Sequence, residues 1–238
     1  MSSFDYEGIW NGVWGDMQKY GPVHRHHRRI FLQMFKDISE DEIQSVADIG
    51  CGEGSNLAFI KTRFPKAKLH GFDVSQTALE SAQKRIVDAK FSILDIQTET
   101  PSEVFDLVFC SDVVEHLKND TAAIQNIRKI TGKYALIATI QGRMRRNEMS
   151  IGHIRNYNYG ELKQKVEEAG FEVLQVIEWG FPLYSPLFRD IIGMFPSSEQ
   201  YSYGKYNAFK IFISHILYHL FMFNREDKGD VIFILARP

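Results

Sequence analysis

The stretch Ser45-Val46-Ala47-Asp48-Ile49-Gly50-Cys51-Gly52-Glu53-Gly54-Ser55-Asn56 decides how the rest of this chain is read. Val46, Ala47 and Ile49 form a short apolar run of the kind that becomes a buried strand, and Gly50, Gly52 and Gly54 follow at alternate positions. Leu57, Ile60 and Phe64 then recur at helical spacing. A strand that turns through such glycines into a helix is built to receive a ligand, because glycine accepts positive φ and puts no Cβ between backbone and guest. The free N–H groups of the first helical turn face the guest's negative end.

A dinucleotide fingerprint, G-x-G-x-x-G, would need glycine at 55, where Ser55 stands, and does not require an acid such as Asp48 before the first glycine. Val46 to Gly54 resembles instead the first motif of class I S-adenosylmethionine-dependent methyltransferases. Phe105-Asp-Leu-Val-Phe-Cys-Ser-Asp-Val-Val-Glu-His-Leu117 resembles the fourth motif of members that act on small molecules, the ubiquinone-biosynthesis type among them. DNA enzymes that methylate exocyclic amines carry Asn/Asp-Pro-Pro-Tyr there, and Ser111-Asp112-Val113-Val114 does not match. The resemblance implies an α/β fold, a Rossmann-like doubly wound seven-stranded sheet. It is mostly parallel with an antiparallel last strand beside the sixth, plus N-terminal and C-terminal helical lid elements. It also implies S-adenosyl-L-methionine as cofactor, with Asp48, Gly50, Cys51, Gly52, Gly54, Asp73, Val74, Asp95, Ile96 and Ser111 as its binding set.

Several of these positions can be reached from the residues alone. Lys68 to Asp73 reads as a second strand ending in an acid about 20 residues past the glycines, where nucleotide-binding folds place a carboxylate that meets ribose hydroxyls. Ser75 is the better cap for the helix carrying Leu79, Ala82 and Ile86, which leaves Asp73 for the ribose. Phe91 to Asp95 is a third strand and Phe105 to Ser111 a fourth, joined by a linker too short for a helical crossover and expected to bridge neighbouring parallel strands. A helix over Ile124, Ile127 and Ile130 is expected to close at Gly132 in an αL cap. Tyr134 to Ile140 makes a fifth strand, and Asn158 with Glu161 a capping box for a helix closed by Gly170. Phe171 to Ile177 and Val231 to Ala236 are the last two strands.

The whole chain is expected to form a single domain: an N-terminal lid and helix over 1–38, a cofactor-binding core over 39–178, a lid or interaction insertion over 179–230, and a last strand at 231–238. Phe4 to Tyr20, rich in aromatics, is the candidate N-terminal lid. His24 to Arg29 leads into a helix with Ile30, Phe31, Met34 and Phe35 on one face. Neighbouring helical residues diverge, so at most a pair of its histidines could share an ion, and a solvated helix start is expected. Asn207 to Phe223 is apolar but too short and too polar to span a membrane, and reads as a lid helix, a homodimer face or a membrane-surface contact, in that order.

Composition bounds the rest. With 238 residues, 44% hydrophobic and 24% charged, the chain can bury a core, and a net charge of -2 argues against a protein that coats nucleic acid. No secretion signal is read, so a cytoplasmic location is expected, and Cys51 and Cys110 read as free buried thiols. His116 and His153 are the candidate catalytic proton acceptors. Asp112, Glu115 and His116 with His153 resemble a divalent-metal pattern of some methyltransferases, but Glu-His-Leu also occurs in metal-free relatives, and no metal is expected. Arg143, Arg145, Arg146 and Arg155 suit an anionic acceptor. The expected function is methyl transfer from S-adenosyl-L-methionine to an O, N or C atom of a small, anionic metabolite. The alternatives are an RNA methyltransferase with a metal site, a non-catalytic cofactor-binding partner protein, and an NAD-dependent enzyme. DNA is excluded as a partner and RNA disfavoured.

Overall fold

The computed structural model describes residues 15–194 and 205–238, so the aromatic stretch from Phe4 to Trp14 lies outside the described residues. The chain opens with helices α1 (Gly15–Tyr20) and α2 (Pro22–Met34), then β1 (Ser45–Ile49), α3 (Ser55–Arg63), β2 (Lys68–Asp73), α4 (Gln76–Arg85) and β3 (Lys90–Ile93). It continues through β4 (Phe105–Ser111), α5 (Asp120–Ile130), β5 (Thr131–Ile140), α6 (Arg146–Ser150), α7 (Glu161–Glu168) and β6 (Glu172–Trp179). Helices α8 (Arg189–Gly193) and α9 (Ala208–Phe221) precede β7 (Val231–Arg237).

The strands form one seven-stranded sheet in the order β3-β2-β1-β4-β5-β7-β6. Pairing is parallel from β3 to β5, and β7 runs antiparallel between β5 and β6. The expected Rossmann-like sheet with its inserted antiparallel strand is thus present. Successive side chains of a strand leave on opposite faces, so each central strand feeds two cores. Val46, Leu107 and Phe233 join one with α2 and α3, while their neighbours Ala47, Val108 and Ile234 join the other with α5 and α7. Ser75 caps α4 as expected, its Oγ accepting from the Ala78 N–H at 3.1 Å. No helix among the described residues is long and apolar enough to cross a membrane.

Four local expectations are corrected. Strands β3 and β4 are not neighbours: β2 and β1 lie between them, so the helix-free linker crosses two strands. Gly132 is not an αL cap, because β5 begins at Thr131 directly after α5, and Gly132 lies inside the strand where a Cβ would approach the Phe105 carbonyl oxygen to 3.2 Å. Helix α7 is capped by Gly160 at φ 83 rather than by Asn158, although Asn158 still donates its N–H to the Glu161 carboxylate at 2.9 Å. The start of α2 is not solvated, since His26 and His27 are buried. His26 stacks on Trp179 at 4.8 Å and on Tyr218 at 4.6 Å, and its Nε2 lies 2.9 Å from the Tyr218 carbonyl oxygen.

Gly50, at φ 69, ends β1 against the loop after β4, where a Cβ would lie 2.3 Å from a Val113 methyl carbon. Gly160, at φ 83, has nothing within 4 Å of its added Cβ. Gly160→Ala is therefore expected to cost only the left-handed backbone penalty of about 1–2 kcal/mol. Gly50→Ala should lose a further 1–3 kcal/mol or so from overpacking, and urea denaturation of the two variants without ligand checks that order.

Candidate functional site

The parallel strands β1, β2 and β4 end at the same edge of the sheet, where the chain must turn back and where ligands settle in such folds. Gly50 and Cys51 both donate their N–H to the Phe72 carbonyl oxygen, at 2.7 and 2.9 Å, tying the glycine turn to the end of β2. Asp73 completes the tie: its carboxylate accepts the Gly52 N–H at 2.8 Å on one oxygen and the Ser75 N–H at 2.9 Å on the other. The glycine turn is thereby held to the end of β2 by a carboxylate that accepts on both oxygens.

A cavity of about 1040 Å³ opens at this edge. Of the residues expected at the cofactor, Gly50, Cys51, Gly52, Asp73, Val74, Asp95, Ile96 and Ser111 all line it. Asp48 and Gly54 do not stand on its wall. Gly54 caps α3, where a Cβ would meet Ala82 at 3.2 Å, and Asp48 is buried in β1. Burial and the nearby Asp73 push the Asp48 carboxyl well above the usual carboxylate range. Burial likewise raises the Cys51 and Cys110 thiols, which suits packing rather than nucleophilic work.

His116 and His153 face the same cavity, with ring centroids 4.7 Å apart in an edge-to-face pair. The contact is assembled by backbone: Ile154 donates its N–H to the Glu115 carbonyl oxygen at 3.1 Å, docking the loop after α6 onto the turn that carries His116. Burial lowers His116 and drives His153 down to about 3, so both imidazoles are neutral at neutral pH. Glu115, buried beneath them, accepts a hydrogen bond from the Thr139 hydroxyl at 2.7 Å. Burial, reinforced by Asp112, pushes it up to about 8. Glu115, His116 and His153 therefore do come together as the resemblance implied, but Asp112 turns away toward His24 and His27.

Two of the three loop arginines are not the free cations the sequence offered. Arg143 and Arg145 share Asp190, each at 2.7 Å, and Arg145 also reaches Asp230 at 3.4 Å, while Arg146 is exposed. Arg189, which sequence reasoning missed, is buried between Glu148 and Asp230. In this network three guanidinium groups stand against three carboxylates. Arg155 pairs with Asp120 at 2.9 Å. The one sequence signal for this network was the charged pair Arg189-Asp190 inside the apolar run from Leu187 to Ile192.

Helix α9 forms the outer wall of the cavity through Phe209, Lys210, Ile213, Ser214 and Leu217, and α1 contributes Met17 and Gln18. These are the places where lid elements were expected at both ends of the chain.

A family model described as a methyltransferase domain matches residues 47–133. Among curated relatives, a trans-aconitate 2-methyltransferase of Methylobacterium radiotolerans is 35% identical over 80 residues, covering 34% of this chain and 31% of that protein. One from Escherichia coli is 24% identical over 107 residues, covering 45% of this chain and 42% of that protein. The chain thus matches less than half the length of either relative. Among solved structures, the magnesium protoporphyrin IX methyltransferase of Synechocystis PCC 6803 with bound S-adenosylmethionine superposes with a TM-score of 0.60 at 14% identity, covering 98% of this chain and 92% of that one. The N-methyltransferase NodS of Bradyrhizobium japonicum, in complex with S-adenosylhomocysteine, gives 0.58 at 14% identity over 92% of this chain and 89% of its own. Sheet order, glycine turn and the match over residues 47–133 agree: the chain resembles S-adenosylmethionine-dependent methyltransferases and has their fold.

Proposed function

We propose that the chain moves the methyl group of S-adenosyl-L-methionine to an oxygen, nitrogen or carbon atom of a small-molecule acceptor. The observation that carries this reading is a single chamber walled at once by the glycine turn with Asp73 and Asp95 and by His116 and His153. A donor on the first wall and an acceptor against the second would meet inside the protein, away from bulk water. The names of the curated relatives, which specify a small acid, are in keeping with a small acceptor.

The residues fit the cofactor. Asp73, fixed by two backbone N–H groups at the end of β2 and lining the cavity, is assigned to the ribose hydroxyls. Asp95 and Ile96, just past β3, are assigned to the adenine edge, and Gly50, Cys51 and Gly52 to the amino-acid end. Val74 and Ser111 complete that wall, while Asp48 and Gly54 act on the turn rather than on the guest. Bound there, S-adenosyl-L-methionine supplies a methyl group that is electrophilic on its sulfonium sulfur. His116 and His153 are assigned to the acceptor's proton. Their lowered basicity suits an acceptor whose proton becomes acidic as the methyl adds, rather than one that must be deprotonated beforehand.

The RNA alternative rested on a basic loop, and the pairing of Arg143, Arg145 and Arg155 with acids removes most of that support. The anionic-acceptor expectation loses the same groups.

Calorimetry should detect binding of S-adenosylmethionine and of its demethylated product. Asp73→Ala should weaken both by at least about tenfold, the loss of a charge-assisted hydrogen bond. Heat with NADH but with neither methyl donor nor product would return the chain to the dinucleotide class. Cofactor binding with no turnover on any small acceptor would leave it a binding partner only.

Glu115 provides a stability test of the buried acceptor wall. Its carboxyl keeps its proton to about pH 8 in the folded state but loses it near the ordinary glutamate value of 4.5 when unfolded. Its contribution to stability is therefore complete below pH 4.5 and is lost as pH rises through 8. Glu115→Gln, which cannot ionise, should gain on the parent between pH 6 and pH 9, by up to about 1.4 kcal/mol per pH unit. Melting temperatures across that range measure the divergence, and parallel curves would show that Glu115 is not buried in acid form.

A further inference from the structure

We propose that His24, His27 and Asp112 form a divalent-metal site that opens into the central cavity. His24 and His27 lie three residues apart on α2 and therefore share a helix face. Asp112 comes from the loop after β4, a region far away in sequence. One ligand atom from each of the three lies within 4.8 Å of the others, and all three residues line the cavity. The nearest pair, His27 Nδ1 and an Asp112 carboxylate oxygen, are 3.7 Å apart. Two ligands on one tetrahedral ion stand roughly 3.4 Å apart for bonds of about 2.1 Å, so side-chain rotation of about an ångström closes the set.

A further observation comes from the backbone. Asp112 holds a positive φ of 59°, a backbone state that non-glycine residues seldom adopt and that recurs where function fixes a side chain. Its carboxylate is anchored by the Ser111 hydroxyl, which donates at 3.1 Å.

Two imidazoles and one carboxylate suit a borderline ion such as Zn²⁺ and leave coordination positions open to the cavity. The neighbouring group of Glu115, His116 and His153 is a separate cluster, in which one Glu115 oxygen accepts from Thr139. On the methyl-transfer reading, a cation here would hold an oxygen or carboxylate of the acceptor, a task for which Arg145 and Arg189, already paired with acids, are not free. Metal binding itself does not depend on that reading.

Untagged protein stripped with EDTA and passed through gel filtration should bind one Zn²⁺ per chain in isothermal titration. His24→Ala and Asp112→Asn should each weaken that binding by at least about tenfold, while His153→Ala should leave it unchanged. Asparagine tolerates the backbone at 112, and far-UV circular dichroism with binding of S-adenosylhomocysteine confirms that each variant is folded. The inference is overturned if the parent binds S-adenosylhomocysteine but no Zn²⁺. It is equally overturned if His24→Ala and Asp112→Asn retain full Zn²⁺ affinity, or if His153→Ala abolishes it. Failure to bind S-adenosylhomocysteine with Zn²⁺ binding intact would strike the methyl-transfer reading and spare the metal site.

Discussion

The site depends on how closely the loop after β4 can approach the end of β1. Gly50 admits the Val113 side chain into space that any Cβ would occupy, and this contact locks two carboxyl-end loops of adjacent parallel strands together. On one side of it the backbone turns toward Phe72 and Asp73 and shapes the cofactor wall. On the other, Asp112 is forced to positive φ and aimed at α2. A single packing constraint therefore links the glycine turn to the position of Asp112 opposite it.

Around that contact, the chain encloses the cavity by two kinds of burial. On the side of α2 and α9 it is aromatic: His26 sits between Trp179 and Tyr218, Phe31 meets Phe109 edge to face at 4.8 Å, and Phe221 packs beneath. Such contacts combine large buried area with defined ring geometry. On the side of α6 and α8 it is ionic, through Arg145 and Arg189 among Glu148, Asp190 and Asp230. Buried charges are costly unless paired, and a balanced set keeps that wall rigid while giving the ligand no net field. Between these walls, burial holds His116 and His153 as neutral imidazoles and raises the Glu115 carboxyl.

Local signals read well wherever one segment carried the whole message. The run from Val46 through the glycines, the acid at Asp73, the Ser75 cap and the late strand from Val231 were legible because apolar period, turn chemistry and capping act within a few residues. Where two competing local options existed, sequence reasoning chose wrongly. Gly132 offered a helix cap, but the pull of β4 on Thr131 extended the strand instead. His26 and His27 look like polar residues at a helix start, yet Trp179 and Phe233, more than a hundred residues away, bury them.

By itself, the sequence determined the individual strands and the glycine turn, since these follow from periodicity and from residues whose backbone freedom is intrinsic, while the inserted antiparallel strand was implied by the family resemblance. Only the tertiary structure decided which charges remained available. The arginine loop carried no mark of Asp190 or Asp230, and nothing near Asp112 announced His24 and His27. Side-chain pairing across long separations depends on distances that the folded sheet alone creates, and charge in a protein is spent or left free according to those distances.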